Sequence, residues 1–522
     1  MKLNVKFLTL LVCVSFLFSC IGAISASAQI QRNSTKNMKN DEDIPHHLGK
    51  ITIFQAIEIA RINSPVLQSS FLNLEKYKQI LIAERASMKS KFSLNLKPIS
   101  YSKNRAFDQR LSQWYTNESY SSEGTFQMVQ AIPWTNGTVS VIDNFKWKSN
   151  ESNVGSNINS DKAYTNNIYL QLNQPLFTYN TRKMKLKELE YDLENANISY
   201  ALKKLSTEQS ITSQFYTVYM AQEQLEIAKT EYENSKKSYD IINAKVNSDL
   251  SAKEELFQAE LNMTSAESSV ASTEVSLENA KDNLKKTLGI DIKDDFTVIS
   301  NIDTKKINVD LEKATEHGLA SRLELRQREI TTRNLEFEMI RTKALNEFKG
   351  EINMSVGITG DNPKFSNMYE NPTTSPMIAI SFSVPIFDWG EKRARIKAQE
   401  KSMEINTLDT KVERIDIQLN IRKTWRNLEN DKRQINIAKK NIENAQFTYD
   451  LNLVKYREGD ITGMQMTQFQ TQLSSKKKSY TQSIIDYKLE LLNMKILSLY
   501  DFENDKPIVP IIKSENTNEY EK

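Results

Sequence analysis

The chain is short of the residues that break regular structure. Only 13 glycines and 11 prolines interrupt 522 residues, too few for a sandwich of short strands or an α/β enzyme and in keeping with long helices. Cysteine is nearly absent: Cys13 and Cys20 are the only two and both lie near the N-terminus. The rest of the chain therefore has no disulfide and no thiolate metal site. Histidine is confined to His46, His47 and His317; the first two sit in a polar segment and the third has no matched partner, so no metal centre is expected. Nucleophile elbow, H-E-x-x-H and phosphate-loop motifs are all missing, so the chain is not expected to be an enzyme or to hold a cofactor. Charge of one sign is lacking too, since the net charge is +3 with the signs interspersed, and no nucleic-acid partner is expected. The run Lys476-Lys477-Lys478 reads as a solvated helix face. Past the first 28 residues no stretch approaches the ~18 apolar residues of a spanning helix. If the chain crosses a membrane, it must do so with strands.

What is there begins with a targeting segment. Lys2 and Lys6 flank the apolar run Phe7 to Phe18, and Ala26-Ser27-Ala28 reads as a small-residue cleavage site. Residues 1–28 are thus expected to be a signal peptide. The alternative is a lipoprotein signal ending before Cys20, with Cys20 acylated; Phe18 sits poorly where such a signal has a small residue. A polar segment, 29–50, follows. Then come two repeats, 51–300 and 301–502, and a tail, 503–522.

The repeats show first in strands. Gln174-Pro175-Leu176-Phe177 recurs as Val384-Pro385-Ile386-Phe387, 210 residues later. Each copy closes a segment of period two: Ile168, Leu170 and Leu172 in one, Ile378, Ile380 and Phe382 in the other. Phe92, Leu94 and Leu96, and Ile352, Met354, Val356 and Ile358, are the upstream partners. One apolar and one small or polar face is what a lipid-facing barrel strand needs, although a soluble hairpin alternates in the same way.

Each proline motif is followed by about 70 residues of helical pattern, about 105 Å at 1.5 Å per residue. The seams Ile211, Val218, Leu225, Tyr232, Tyr239, Val246 and Ile421, Leu428, Ile435, Ile442, Tyr449, Tyr456 step by seven and agree at the same offset of 210. A sustained heptad predicts coiled-coil packing, with the seam tyrosines packing by default. Both helices end at matching tips, Ser248-Asp249-Leu250-Ser251 and Gly459-Asp460-Ile461-Thr462. Return helices over 252–288 and 463–500 restart with capping boxes, Ser251 with Glu254 and Thr462 with Gln465. Shorter helices over 52–90 and 311–348 open the repeats, the first with a capping box of Thr52 and Gln55. Two short helices end to end match one long one, which predicts an even cylinder capped by strands.

The paired proline motifs, the opening signatures Thr52 to Leu67 and Leu311 to Leu325, and the two tips resemble the TolC-like outer-membrane efflux protein family over roughly residues 50–500. The resemblance implies a mainly α fold with a membrane β-barrel, in which duplicated coiled-coil helices form a periplasmic tunnel. It implies a homotrimer with four barrel strands per protomer, hence a 12-stranded barrel in outer-membrane lipid. Its partners would be a periplasmic adaptor (membrane fusion) protein and an inner-membrane pump. The function implied is the passive exit duct of a tripartite efflux or type I secretion system for small molecules or polypeptides. Four strands cannot close a barrel alone and lipid does not tolerate open edges, so oligomerisation follows on physical grounds as well.

Two departures stand out. Ser248 replaces the tip glycine of the second repeat, so that turn should avoid positive φ or store some strain. Gln465 and Gln468 stand where well-known members carry carboxylates around the entrance. The tips Ser248, Asp249, Leu250, Gly459, Asp460 and Ile461 are expected to contact the adaptor. An entrance gate is expected at Tyr456 and Arg457, linked across the tip to Glu254 and Glu255, with Gln465 and Gln468 as further candidates. A different class of function, a structural or adaptor-like periplasmic coiled-coil protein without a channel, explains the heptads but not two matched sets of strands.

Copy one has an extra hairpin, Phe126 to Ile132 and Val139 to Trp147, joined by Thr135-Asn136-Gly137, in which Asn-Gly is a type I′ signal that predicts a two-residue turn. It either adds membrane strands, giving 18 per trimer, or lies beside the barrel. Val139, Val141, Phe145 and Trp147 share a face with Asp143, and a carboxylate facing lipid is costly. An accessory position is therefore expected.

Overall fold

The computed structural model describes residues 47–508 apart from 110–111, 155–156, 250, 301–305 and 459. The N-terminal segment with Cys20 and His46, and the tip residues Leu250 and Gly459, lie outside the described residues.

The chain opens with β1 (His47–Ile51), α1 (Ile53–Asn63) and α2 (Pro65–Ser87). The Thr52–Gln55 capping box forms. The single opening helix expected over 52–90 is two helices, because Pro65 keeps Ser64 out of the helical region, at φ −59° and ψ 118°. The second repeat breaks in the same way without a proline. Between α5 (Leu311–Ser321) and α6 (Leu323–Lys343), Arg322 lies at φ −63° and ψ 123°. Its guanidinium donates to the Ile496 carbonyl and to Glu324, so a tertiary contact holds the break that proline enforces in copy one.

The long helices are α3 (Thr181–Asn247) and α7 (Glu391–Glu458), of 67 and 68 residues. They turn back into α4 (Lys253–Leu288) and α8 (Gly463–Ser498). Their seams are fully buried at Ile211, Val218, Ile421 and Leu428 and only half-buried from Tyr232 and Ile442 toward the tips. Two cores occupy equivalent places. Ile211 and Val218 pack on Ala56 and Ala60 of α1, Leu284 and Leu288 of α4, and the parallel pair of β1 with β6 (Asp295–Val298). Ile421 and Leu428 pack on Ala314 of α5, Ile484, Tyr487 and Met494 of α8, and Ile307 and Val309. A small hairpin, β10 (Tyr500–Asp501) with β11 (Lys506–Pro507), follows α8.

One antiparallel sheet caps the helices. It comprises β2 (Lys91–Asp108), β3 (Gln113–Ile132), β4 (Gly137–Val154), β5 (Asn157–Leu176), β7 (Lys349–Asn362), the two-residue β8 (Thr373–Thr374) and β9 (Met377–Ser383). The order is β2-β3-β4-β5-β7, and β7 pairs with both β8 and β9. This corrects the expected placement of the extra hairpin. β3 and β4 are not accessory: β3 pairs with β2 and β4 with β5 along their lengths, inside the sheet. Long paired helices with a strand end are present as expected, and the sheet has six main strands, the last of them the seven-residue β9, where four were expected. The β3–β4 connection is a four-residue turn in which Asn136 takes φ +63°, not the two-residue turn expected.

Candidate functional site: the two-faced sheet, its edges and the helix tips

Directly paired residues of antiparallel strands share a face. One row across the sheet reads Leu94, Phe126, Asp143, Ile168, Ile358, and the next on that face Phe92, Met128, Val141, Leu170, Val356. The opposite face carries Asn95, Thr125, Asn144, Asn167 and Thr359 in a single row. The sheet is thus apolar on one side and polar on the other over the same span. On β4 the apolar band runs from Val139 to Trp147, about 20–25 Å of a tilted strand, close to the ~25 Å band of an outer-membrane barrel. Aromatic rings mark both ends. Phe145, Tyr164 and Phe365 cluster with centroids 5.8–6.4 Å apart at one. At the other, beside the helices, Phe348 lies 5.2 Å from Phe177 and 5.5 Å from Phe382, and Phe387 contacts Trp389 at 4.7 Å. Such belts sit at membrane–water interfaces.

Asp143 does lie on the apolar face, and the fold covers it. The connection after β7 bends over that face: Phe365 packs edge-to-face against Phe145 and Tyr164, Met368 is buried, and the Asn166 amide donates to the Tyr369 hydroxyl. The Asp143 carboxyl beside it is half-buried, and its Oδ1 is covered without a hydrogen-bond partner among the described residues. The cover comes from a segment 220 residues away in sequence, Phe365 against Phe145, which no local pattern discloses.

Both edges of the sheet are open, β2 on one side and β9 on the other. The helices are ordered in the same sense. Near the sheet the contact order is α2-α3-α6-α7, and toward the tips it is α4-α3-α8-α7. α2 and α4 end the rows on the β2 side, and α7 ends both on the β9 side. On α7 the residues Ile405, Leu408, Val412, Ile415 and Leu419 are exposed at spacings of three and four, and Phe71, Leu72, Phe257 and Leu261 are exposed on α2 and α4.

At the tips, Ser248 keeps φ at −102°, as its side chain requires, and Asp249 takes the left-handed turn at φ +56°. The expected Ser251–Glu254 capping box does not form. Ala252 occupies the N-cap and the Ser251 hydroxyl donates to Glu255, because α4 starts one residue later than the pattern indicates. The Thr462–Gln465 box does form; Gln465 Oε1 is occupied by the Thr462 N–H at 3.0 Å. Gln468 is exposed, as are Ser248, Asp249 and Asp460, while Ile461 is half-buried.

The Tyr456 hydroxyl lies 3.0 Å from the Ser238 hydroxyl of α3. This corrects the expected link to Glu254 and Glu255: Glu255 is engaged by Ser251, and the partner comes from the long helix of the other repeat. The side chain of Arg457 lies outside the described residues. Ser238 is one residue off the heptad seam, so a sequence search for charged partners passes over it. His317 stacks on Tyr500 at 4.6 Å, and Lys313 lies over the same ring while binding Asp505 at 2.8 Å, a structural contact between α5 and the terminal hairpin.

The family model described as "Outer membrane efflux protein" matches residues 139–290 and 350–491, which begin in β4 and β7. Among solved structures, the outer membrane channel CmeC of Campylobacter jejuni superimposes with a TM-score of 0.65 at 14% identity, over 85% of each chain. The MtrE outer membrane channel of Neisseria gonorrhoeae in its open state gives 0.62 at 14% identity, over 85% of this chain and 88% of that one. The outer membrane protein VceC of Vibrio cholerae gives 0.61 at 10%, over 85% and 96%. At these identities the likeness is one of fold. No curated protein matches the sequence.

Proposed function

Because the chain belongs to the outer membrane efflux protein family, and so forms an outer-membrane efflux duct with a periplasmic tunnel, we propose that three copies make one passive channel-tunnel serving a tripartite efflux or type I secretion system. The observation that carries this reading is the coincidence of edges. β2, α2 and α4 end one side of the protomer, and β9 and α7 end the other. A single head-to-tail contact repeated by rotation therefore closes the strands and both helix layers together. Without it, β2 and β9 would leave backbone groups unpaired in lipid, at several kcal/mol each.

The polar face of the sheet then lines a water-filled lumen continuous with the helical tunnel, and cargo, small molecules or polypeptides, moves through it without chemistry. The exposed tips Ser248, Asp249 and Asp460, with Ile461, offer a surface for a periplasmic adaptor that couples the duct to an inner-membrane pump. Fractionation of the protein to the outer membrane as a trimer resistant to mild heating in detergent is the expected result, and a monomer there would reject the reading. Combined Leu250→Asp and Ile461→Asp should abolish export while trimer yield is unchanged. Normal export by that variant would remove the adaptor role from the tips.

A further inference from the structure

We propose that the barrel of this duct has eighteen strands, closed at seams in which Lys91–Lys97 of β2 pairs antiparallel with Met377–Ser383 of β9 from the next copy, with Leu94 opposite Ile380. The proposal rests on the trimeric-duct reading above and adds to it the size of the wall and the register of its seam.

Four observations define the seam. The two strands beyond the four expected are interior, so they cannot be set aside from the wall without breaking the pairing of β2 with β3 or of β4 with β5. Each edge is then bounded by breakers at matching length. β9 is the seven residues Met377–Ser383, preceded by Pro376 and followed closely by Pro385. β2 is regular for the seven residues Lys91 to Lys97; there the register shifts before Ser100, and Pro98, which has no N–H to donate, ends the pairable edge. The faces also agree, since Phe92, Leu94 and Leu96 lie on the apolar side with Ile378, Ile380 and Phe382. Finally, β2 runs away from the helices and β9 returns to them, so the contact is antiparallel like every other in the sheet.

The stagger supplies an independent check. Following printed partners across one chain, Lys91 is level with Val129, Ser140, Gln171, Ser355 and Met377. Full overlap at the seam sets Met377 against Lys97 of the next copy, six residues further along β2. Six residues rise about 20 Å and six strands span about 29 Å, which tilts the strands by about 35°. Membrane barrels tilt ~35–45°. A shift of one residue would place the apolar set on the wrong face. A stagger of four gives about 25°, and one of eight leaves only part of each edge paired. Barrel diameter grows roughly with strand number, so this wall is about 1.5 times as wide as one of twelve strands. The constriction of the duct therefore lies in the helices, and β2 above Pro98 stands clear of the seam.

Disulfide trapping tests the register directly, because Cys13 and Cys20 are the only cysteines and both precede the described residues. Leu94→Cys with Ile380→Cys, purified as the full trimer, should link most chains into a covalent trimer on a non-reducing gel, and either single variant should not. Efficient linking by Leu96→Cys with Ile380→Cys in place of that pair would overturn the register. A stable trimer that links through neither pair would overturn the seam, whereas absence of any trimer from the unmodified protein would reject the duct reading itself. The width is read by polymer exclusion in planar bilayers, with neutral polyethylene glycols added on the extracellular side. Deleting residues 91–132 joins α2 to the β3–β4 turn without reversing a strand, so the cut-off radius of the full chain should be about 1.5 times that of the deletion. Equal cut-offs would overturn the eighteen-stranded wall; if the deletion fails to assemble, the cysteine pairs still decide.

Discussion

Gly289 shows how one residue is held to its type by both conformation and space. It caps α4 at φ +76°, where its N–H bonds the Lys285 carbonyl, and a Cβ there would stand 2.2 Å from the Asn63 carbonyl oxygen. Gly289→Ala should lower stability by at least ~1–3 kcal/mol through strain and overpacking, seen as a lower melting temperature of the trimer; an unchanged value would show that α1 and α4 separate freely at this point. At the other end of the helices, the Tyr456–Ser238 contact is half-exposed and is worth only about 0.5–1.5 kcal/mol. That is enough to bias a closed entrance without locking it. Tyr456→Phe keeps the ring and removes the link, so single-channel conductance or open probability should rise. Ser238→Ala should do the same, with little further effect in the double variant because both act on one bond. No change in any of the three would place the constriction elsewhere.

At the scale of the element, the long helices are anchored near the middle and loose near the tips. Ile211, Val218, Ile421 and Leu428 are fully covered, whereas Tyr239, Tyr449 and Tyr456 are only half-buried. Local opening therefore costs least at the end that must admit cargo. The pairing of α7 with α8 also carries a built-in electrostatic cost. Burial, with Asp486 and Glu490 nearby, pushes the Asp431 carboxyl up to about 6 from its ordinary 3.8. An acid whose folded value is raised holds its proton longer in the folded state. Its contribution favours the fold below about pH 4 and is lost as pH rises through 6. Asp431→Asn should thus raise the melting temperature by a few degrees at pH 7 and leave it nearly unchanged at pH 4. A gain of equal size at both values would assign the effect to packing.

At the scale of the whole molecule, the protomer is built to be incomplete. The α7 stripe of Ile405, Leu408, Val412, Ile415 and Leu419 is more than half exposed at every position, a wide apolar surface for a chain that stands alone. Leu408→Glu with Ile415→Glu places two charges in the surface a neighbouring copy would cover, forfeiting ~1.5–3 kcal/mol of burial per side chain in each interface. The expected outcome is loss of the heat-resistant trimer with helix content by circular dichroism retained. Survival of the trimer would mean that the stripe faces something other than a second copy.

The sequence alone determined what is local and periodic. Breaker scarcity and the step of seven define both long helices to within a few residues, the offset of 210 discloses the duplication, and period-two alternation marks the strands and their apolar face. Thr52 with Gln55 and Thr462 with Gln465 announce two helix starts correctly because a cap depends on residues within one turn. What the tertiary structure decided depends on partners distant in the chain. Arg322 breaks a helix through the Ile496 carbonyl, and Tyr456 finds Ser238 in the other repeat and not the nearby carboxylates. The hairpin from Gln113 to Val154 lies inside the sheet, although Asp143 argued against it, and Phe365, Met368 and Tyr369 fold back over that patch. A lone carboxylate in an apolar row reads as a cost on sequence grounds, since its cover is contributed by another repeat and exists only once the strands are paired.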